Sequence, residues 1–235
     1  MAFEIAEPAA ATVDEISDVH LRAMESNELL HAQFPNPSSI EYLHGWLGRN
    51  TTEHVRDDDK GVLVALDAEH HATASFIKWL VHQGKDEDAE DVVDNEEWPE
   101  SCRREYLDSY GQLTESVRKD VMRNESYYHV TFLCTDPTHG GRGAASTLLR
   151  RVQQKAEADG MAVVLESTME AVGFYQRLGF EAVKKLGLKL PRRGSSGEAT
   201  VVYEERCMVW RPSRTPDAGG VEAAFEGQSL RDRPQ

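Results

Sequence analysis

The segment from Tyr127 to Phe180 constrains this chain most. A β-rich run (Tyr127, Tyr128, Val130, Thr131, Phe132) leads into Leu133-Cys134-Thr135-Asp136-Pro137-Thr138-His139-Gly140-Gly141-Arg142-Gly143-Ala144-Ala145-Ser146, and an amphipathic helix leaves it. The predicted order is strand, glycine-rich turn, helix, strand, short helix. Such a turn gathers unpaired backbone N–H groups at a helix N-terminus, which makes an anion site. A phosphate-bearing cofactor is therefore expected there.

At 235 residues and 40% hydrophobic content the chain can bury one core, as one domain with or without tails. No apolar run approaches the ~20 residues of a membrane span, and Met1-Ala2-Phe3-Glu4 lacks the basic-then-apolar order of a signal peptide. Cys102, Cys134 and Cys207 show no CxxC spacing, which predicts a reducing compartment, no disulfide framework and no metal. A cytoplasmic protein is the expectation. The net charge of −15 argues against nucleic acid as a partner, because neutralising phosphates requires a basic footprint. An acidic field would attract cationic substrates, although acidity serves solubility more often.

Along the chain, Phe3 to Ala6 reads as a strand, and Thr12 to Glu15 has capping-box spacing ahead of a helix with Val13, Ile16, Val19 and Ala23 on one face. That helix should end near Met24. A second box, Ser38 to Glu41, predicts a helix carrying Ile40, Leu43 and Leu47, and the loop His31 to Pro37 reads equally as a substrate lid or a connector. Residues 61–66 and 73–80 form a predicted hairpin around Asp67 to His71, where His70 and His71 read as solvated rather than metal-binding. An acidic run from Asp86 to Glu100 reads as a solvated loop. A helical stretch with Cys102, Tyr106, Tyr110, Val117 and Val121 follows, broken near Gly111, and residues 83–124 read as an insertion between two sheet strands.

After the turn, Ala145, Leu148, Leu149, Val152 and Ala156 define a helix stopped by Gly160. Met161 to Glu166, Phe180 to Val183 and Val201 to Trp210 are predicted strands, and Glu170 to Leu178 a short helix ended by Gly179. A Gly/Ser-rich turn, residues 193–197, precedes the last strand. The composition of 212–235 predicts a disordered tail, which leaves 1–211 as a single domain.

Gly140-Gly141-Arg142-Gly143-Ala144-Ala145, together with Gly173-Phe174-Tyr175-Gln176-Arg177-Leu178-Gly179-Phe180, resembles the Gcn5-related (GNAT) acyl-CoA N-acyltransferases. The first block matches the family's Gln/Arg-x-x-Gly-x-Gly/Ala signature and the second its Tyr-x-x-x-Gly-Phe element. The resemblance implies a mixed α/β fold: a mostly antiparallel, splayed sheet of about seven strands flanked by helices. It also implies acetyl-CoA as acyl donor. Leu133, Cys134 and Thr135 would meet the pantetheine arm, and Gly140, Gly141, Arg142, Gly143, Ala144, Ala145 and Ser146 the pyrophosphate. One departure is Gly140, where the family has Gln or Arg. By the same resemblance Tyr175 protonates the departing thiolate. For the base, Glu166 is preferred over His129 and over a water chain. Strand alternation places residues 129, 131, 133 and 135 on one face. Cys134 reads as a buried thiol and not as an acyl nucleophile.

The preferred expectation is an acetyl-CoA-dependent N-acetyltransferase that acylates an amine, favoured as a small molecule, by direct transfer in a ternary complex. One alternative is a non-catalytic acyl-CoA-binding sensor of the same fold. The other is an NAD(P)-dependent enzyme, since Gly141-x-Gly143-x-x-Ser146 approaches a dinucleotide fingerprint, though without its third glycine. Monomer and homodimer are both left open.

Overall fold

A computed structural model describes residues 3–84, 98–195 and 197–213. Most of the predicted acidic run and of the predicted tail therefore lies outside the described residues. Thirteen elements follow one another as β1 (Phe3–Ala6), α1 (Val13–Ala23), α2 (Glu28–Gln33), α3 (Pro37–Arg56), β2 (Lys60–Asp67), β3 (Thr73–His82), α4 (Arg104–Met122), β4 (Tyr127–Thr135), α5 (Ala144–Ala158), β5 (Ala162–Thr168), α6 (Val172–Arg177), β6 (Glu181–Leu190) and β7 (Val201–Trp210). Short 3₁₀ turns precede α1 and follow β4. The strands form one seven-stranded sheet, ordered β1-β2-β3-β4-β5-β7-β6. Every pairing is antiparallel except β4 with β5. This is the mixed, mostly antiparallel sheet of about seven strands that the family resemblance implies.

The parallel pair makes the sheet open. β4 and β5 are in register only from Tyr127↔Ala162 to Val130↔Leu165. Beyond that point each strand continues without the other, so residues 131–135 and 166–168 border a wedge. Backbone groups on those two edges have no strand to pair with, an arrangement a globular interior does not tolerate unless something else satisfies them.

The helices cover both faces. On one, Leu148, Leu149, Val152 and Ala156 of α5 pack with Tyr175 of α6 against Ile77, Val130, Val163 and Leu165. On the other, Ile16 and Val19 of α1 meet Val62, Val64, Phe76 and Cys134, while Val117 and Met122 of α4 meet Val164, Leu186 and Cys207. A bulge decides which β4 side chains go where. Lys78 pairs with Phe132 and Trp79 with Val130, so Thr131 is an extra residue. Parity flips there: Val130 and Leu133 share the α5 face, whereas Phe132 and Cys134 join α1. The expected common face for residues 129, 131, 133 and 135 is thus corrected, because one inserted residue reverses the alternation.

Three helix expectations also shift. Thr12 does not cap α1 with its side chain; its hydroxyl donates to Ala9 O. Glu15 instead accepts from the backbone N–H and the hydroxyl of Thr73, tying α1 to β3. The cap of α3 is Asn36, two residues before the predicted Ser38, with Ser39 completing the box and Pro37 in the first turn. Helix α4 runs through Gly111 without a break. Part of the expected loop, His31 to Gln33, belongs to α2, where Leu29, Leu30 and Ala32 are buried together with the following Phe34.

Lys78 of β3 is fully buried among α1, α3 and the sheet. Its ammonium donates to Asn50 Oδ1 (3.0 Å) and Leu47 O (3.3 Å) and sits 5.9 and 5.8 Å from the Phe76 and Phe132 ring centroids. Burial pulls its pKa from 10.5 down to about 7. Between those values the unfolded chain binds the proton that the folded chain has given up, so this group makes stability rise with pH, by up to ~1.4 kcal/mol per unit. Lys78→Met is expected to raise the melting temperature at pH 7 and to flatten this slope. A variant that melts lower, with the wild-type slope, would refute the assignment.

Candidate active site

A groove of about 510 Å³ opens at the wedge. Three elements line it: the end of β4 (Leu133, Cys134, Thr135), the turn and first residues of α5 (His139, Gly140, Gly141, Gly143, Ala144, Ala145, Ser146), and α6 with its approach (Ala171, Phe174, Tyr175, Arg177). Ala23 and Met24 close it from the end of α1. The turn keeps its shape through glycine. Gly141 (φ 71°) and Gly143 (φ 90°) are left-handed, and a Cβ at Gly141 would project into open space. Gly143 caps α5, so the first N–H groups of that helix face the groove with no intrahelical acceptor. Such a cradle fits a diphosphate, and the open edge of β4 fits an extended chain bearing amides.

The turn is anchored from outside. Asp136 accepts from Arg22 Nε (2.7 Å) and from the backbone of Thr138, and these contacts, against the effect of its burial, hold its carboxyl at about 2. Arg142 is turned away from the groove. Its guanidinium donates to Asp67 Oδ2 (2.8 Å) and lies 5.0 Å from the Phe3 ring centroid. Arg142, with the N–H groups of Glu69 and His70, brings Asp67 to about 2. Ser146 donates to Gly143 O (2.8 Å), which spends its proton within the turn.

Tyr175 is buried, its ring edge-on to Phe174 and Phe180. Burial, then the proximity of Cys134 and Glu205, pushes its pKa well above that of a free phenol, so it keeps its proton throughout the neutral range. Cys134 and Glu205 belong to the opposite face of the sheet, so the wedge is where the two faces meet. Cys134 Sγ lies 3.8 Å from His20 Nδ1, yet burial raises the thiol to about 12 and lowers the imidazole to about 3. Both stay neutral, and no thiolate–imidazolium pair forms.

Glu166, its side chain 8% exposed, stands at the start of the open stretch of β5. Its oxygens accept from Arg118 Nη1 and His129 Nε2, each at 2.8 Å. Burial alone would raise its pKa, but these partners bring it down to about 2. With Nε2 committed, His129 Nδ1 is buried without a hydrogen-bond partner among the described residues. A further buried carboxylate was not anticipated from sequence. Glu205 of β7 accepts from Tyr203 Oη (2.6 Å) and Tyr110 Oη (2.9 Å). Tyr203 Oη in turn accepts from Asn27 Nδ2 (3.2 Å). Its signal in sequence would have been an acidic residue at a core-facing position of a β-rich strand.

Residues 106–189 match a family model described as an acetyltransferase (GNAT) domain. No curated protein matches the sequence. Among solved structures, arylalkylamine N-acetyltransferase 2 of Aedes aegypti superposes with a TM-score of 0.63, at 14% identity over 90% of this chain and 99% of that one. The polyamine N-acetyltransferase of Drosophila melanogaster gives 0.56, at 18% identity over 89% and 99%. A Corynebacterium glutamicum protein described as histone acetyltransferase HPA2 and related acetyltransferase gives 0.51, at 18% identity over 91% and 98%. At these identities the likeness is one of fold. The chain thus shares the fold of these acetyltransferases, and its segment 106–189 is similar to the GNAT domain.

Proposed function

We propose that the protein transfers the acetyl group of acetyl-CoA directly to an amine, within a ternary complex. One observation carries this reading: the diphosphate cradle at α5, the unpaired edge of β4 and the phenol of Tyr175 line a single groove. Gly141, Gly143 and the first N–H groups of α5 hold the pyrophosphate, and Leu133 to Thr135 pair with the pantetheine amides. The acetyl thioester then lies in the wedge beside Tyr175. The donor supplies an activated carbonyl, so the protein's own task is positioning and proton handling. Tyr175, which keeps its proton, gives it to the thiolate as the carbon–sulfur bond breaks. Glu166, locked by Arg118 and His129, shapes the wedge and is too weak a base to deprotonate an ammonium. A small-molecule amine is favoured as acceptor, and the arylalkylamine and polyamine acetyltransferases of like fold support that choice.

Thermal shift measurements separate the readings. Acetyl-CoA is expected to raise the melting temperature, by roughly 2.7 kcal/mol of added stability at a hundredfold excess over Kd, whereas NADH is expected to leave it unchanged. Stabilisation by NADH alone would replace this reading with a nicotinamide enzyme. Stabilisation by acetyl-CoA without thiol release to any amine would replace it with an acyl-CoA sensor.

A further inference from the structure

We propose that Glu205 is the general base of this transfer and the anion that receives the acceptor's ammonium group; the assignment rests on the acetyl-transfer reading above. Glu205 is the β7 partner of Thr168, the last residue of β5, on the stretch where β5 has already parted from β4. It is buried, with 5% of its surface exposed. Two phenols are its hydrogen-bond donors, and among the described residues it has no ion-pair partner. A buried carboxylate without a cation is costly, and a cationic ligand relieves that cost.

The groups around it give the same assignment. Tyr203 lies on its own strand and carries the contact to Asn27. From α4 come Tyr110, which donates to Glu205, and Arg118, which is committed to Glu166. Glu166 on β5 adds a like charge, and His129 on β4 is bound to Glu166. Tyr175 reaches Glu205 electrostatically from α6, and Glu170 reaches Tyr203 from the loop before it. Leu186 is the opposite residue on β6. Arg206 binds the backbone carbonyl of Glu205 and the side chain of Glu204, not the Glu205 carboxylate. Burial raises the pKa of Glu205 while the neighbouring Glu166 falls to about 2. Two carboxylates driven apart in this way take different roles, and the one whose pKa is raised is the better suited to proton transfer.

The step balances. The ammonium gives one proton to Glu205, and the neutral amine attacks the thioester carbonyl, forming the carbon–nitrogen bond. Collapse breaks the carbon–sulfur bond, and Tyr175 protonates the leaving thiolate. The proton remaining on nitrogen returns to the Tyr175 phenolate, and Glu205 releases its proton to water. An acceptor that enters as a cation is thereby preferred over a neutral alcohol or thiol.

The test uses the full chain with acetyl-CoA and four probe amines: tyramine, tryptamine, agmatine and spermidine. Thiol release is followed from about pH 5 to 9, so that both limbs of the profile are sampled. Glu205→Gln is expected to lower kcat about a hundredfold or more, to abolish the acid limb of the profile, and to leave stabilisation by acetyl-CoA intact. Tyr203→Phe removes one donor from the carboxylate and should move the acid limb to higher pH, which a merely structural role would not do. Retention of wild-type kcat and acid limb in Glu205→Gln overturns the proposal. If that variant does not fold, the Tyr203→Phe profile decides: a shifted limb supports Glu205 and an unmoved limb overturns it. Failure of the wild-type chain to be stabilised by acetyl-CoA, or to release thiol with any probe amine, overturns the transfer reading itself.

Discussion

Tyr175→Phe is expected to lower kcat for thiol release about 10²- to 10³-fold while acetyl-CoA binds nearly as before. The change deletes one oxygen. The ring keeps its edge-on contacts with Phe174 and Phe180 and its place against α5, so packing is preserved. Among the described residues the hydroxyl makes no hydrogen bond, so its removal leaves no orphaned partner and little stability is at stake. What disappears, on the proposed reading, is the proton offered to the leaving thiolate, held by a group that burial, Cys134 and Glu205 prevent from ionising. The thiolate must then leave unprotonated or take its proton from water, and the penalty falls on the chemical step. Single-turnover kinetics with acetyl-CoA and a responsive amine, beside a melting curve, would measure this. An unchanged kcat would remove Tyr175 as the acid.

The difference between the proposed cofactor half and the proposed acceptor half of this site reflects how far apart in sequence their parts lie. Gly141, Gly143, the apolar stripe of α5 and the strand before them are consecutive, and each signal is local: punctuation by glycine, then period two giving way to period 3.6. The same locality made β7 legible to its end residues, Val201 and Trp210. The proposed acceptor half, and the anchoring of the turn, are assembled by the fold. Tyr110 meets Glu205 across 95 positions, and Arg142 meets Asp67 across 75. No pattern along the chain encodes such pairs, which is why Arg142 reads as a phosphate ligand in sequence although it braces the β2–β3 turn in space. The bulge at Thr131 is a tertiary effect of the same kind, since only pairing with β3 reveals the extra residue. Helix α2 was hidden by its brevity, six residues being too few for a helical period to declare itself. Asn36 and Ser38 are both good caps, and the rigid Pro37 between them settled the choice as the first helical residue.

Glu166→Ala is expected to destabilise the fold by about 3–5 kcal/mol, because the removed carboxylate is the shared partner of a buried imidazole and a largely covered guanidinium. Arg118, 14% exposed, and His129, 8% exposed, would lose their acceptor at the mouth of the wedge. For a chain of this length that loss corresponds to a fall in melting temperature of roughly 10 °C. The same contacts predict an acid limit. The folded pKa of Glu166 is depressed from 4.5 to about 2, so its contribution is present above pH 4.5 and disappears as pH falls toward 2. At ~1.4 kcal/mol per unit the span is on the order of 3 kcal/mol. Stability measured between those pH values should therefore converge for wild type and Glu166→Ala, the difference shrinking as the wild-type carboxylate protonates. A double variant, Arg118→Met with Glu166→Leu, removes the charges together and should recover much of the lost stability, since the penalty lies in the stranded cation and not in the absence of the pair. Equal melting temperatures for wild type and Glu166→Ala at pH 7 would show that the cluster is not structural, and would return Glu166 to the competition for the base.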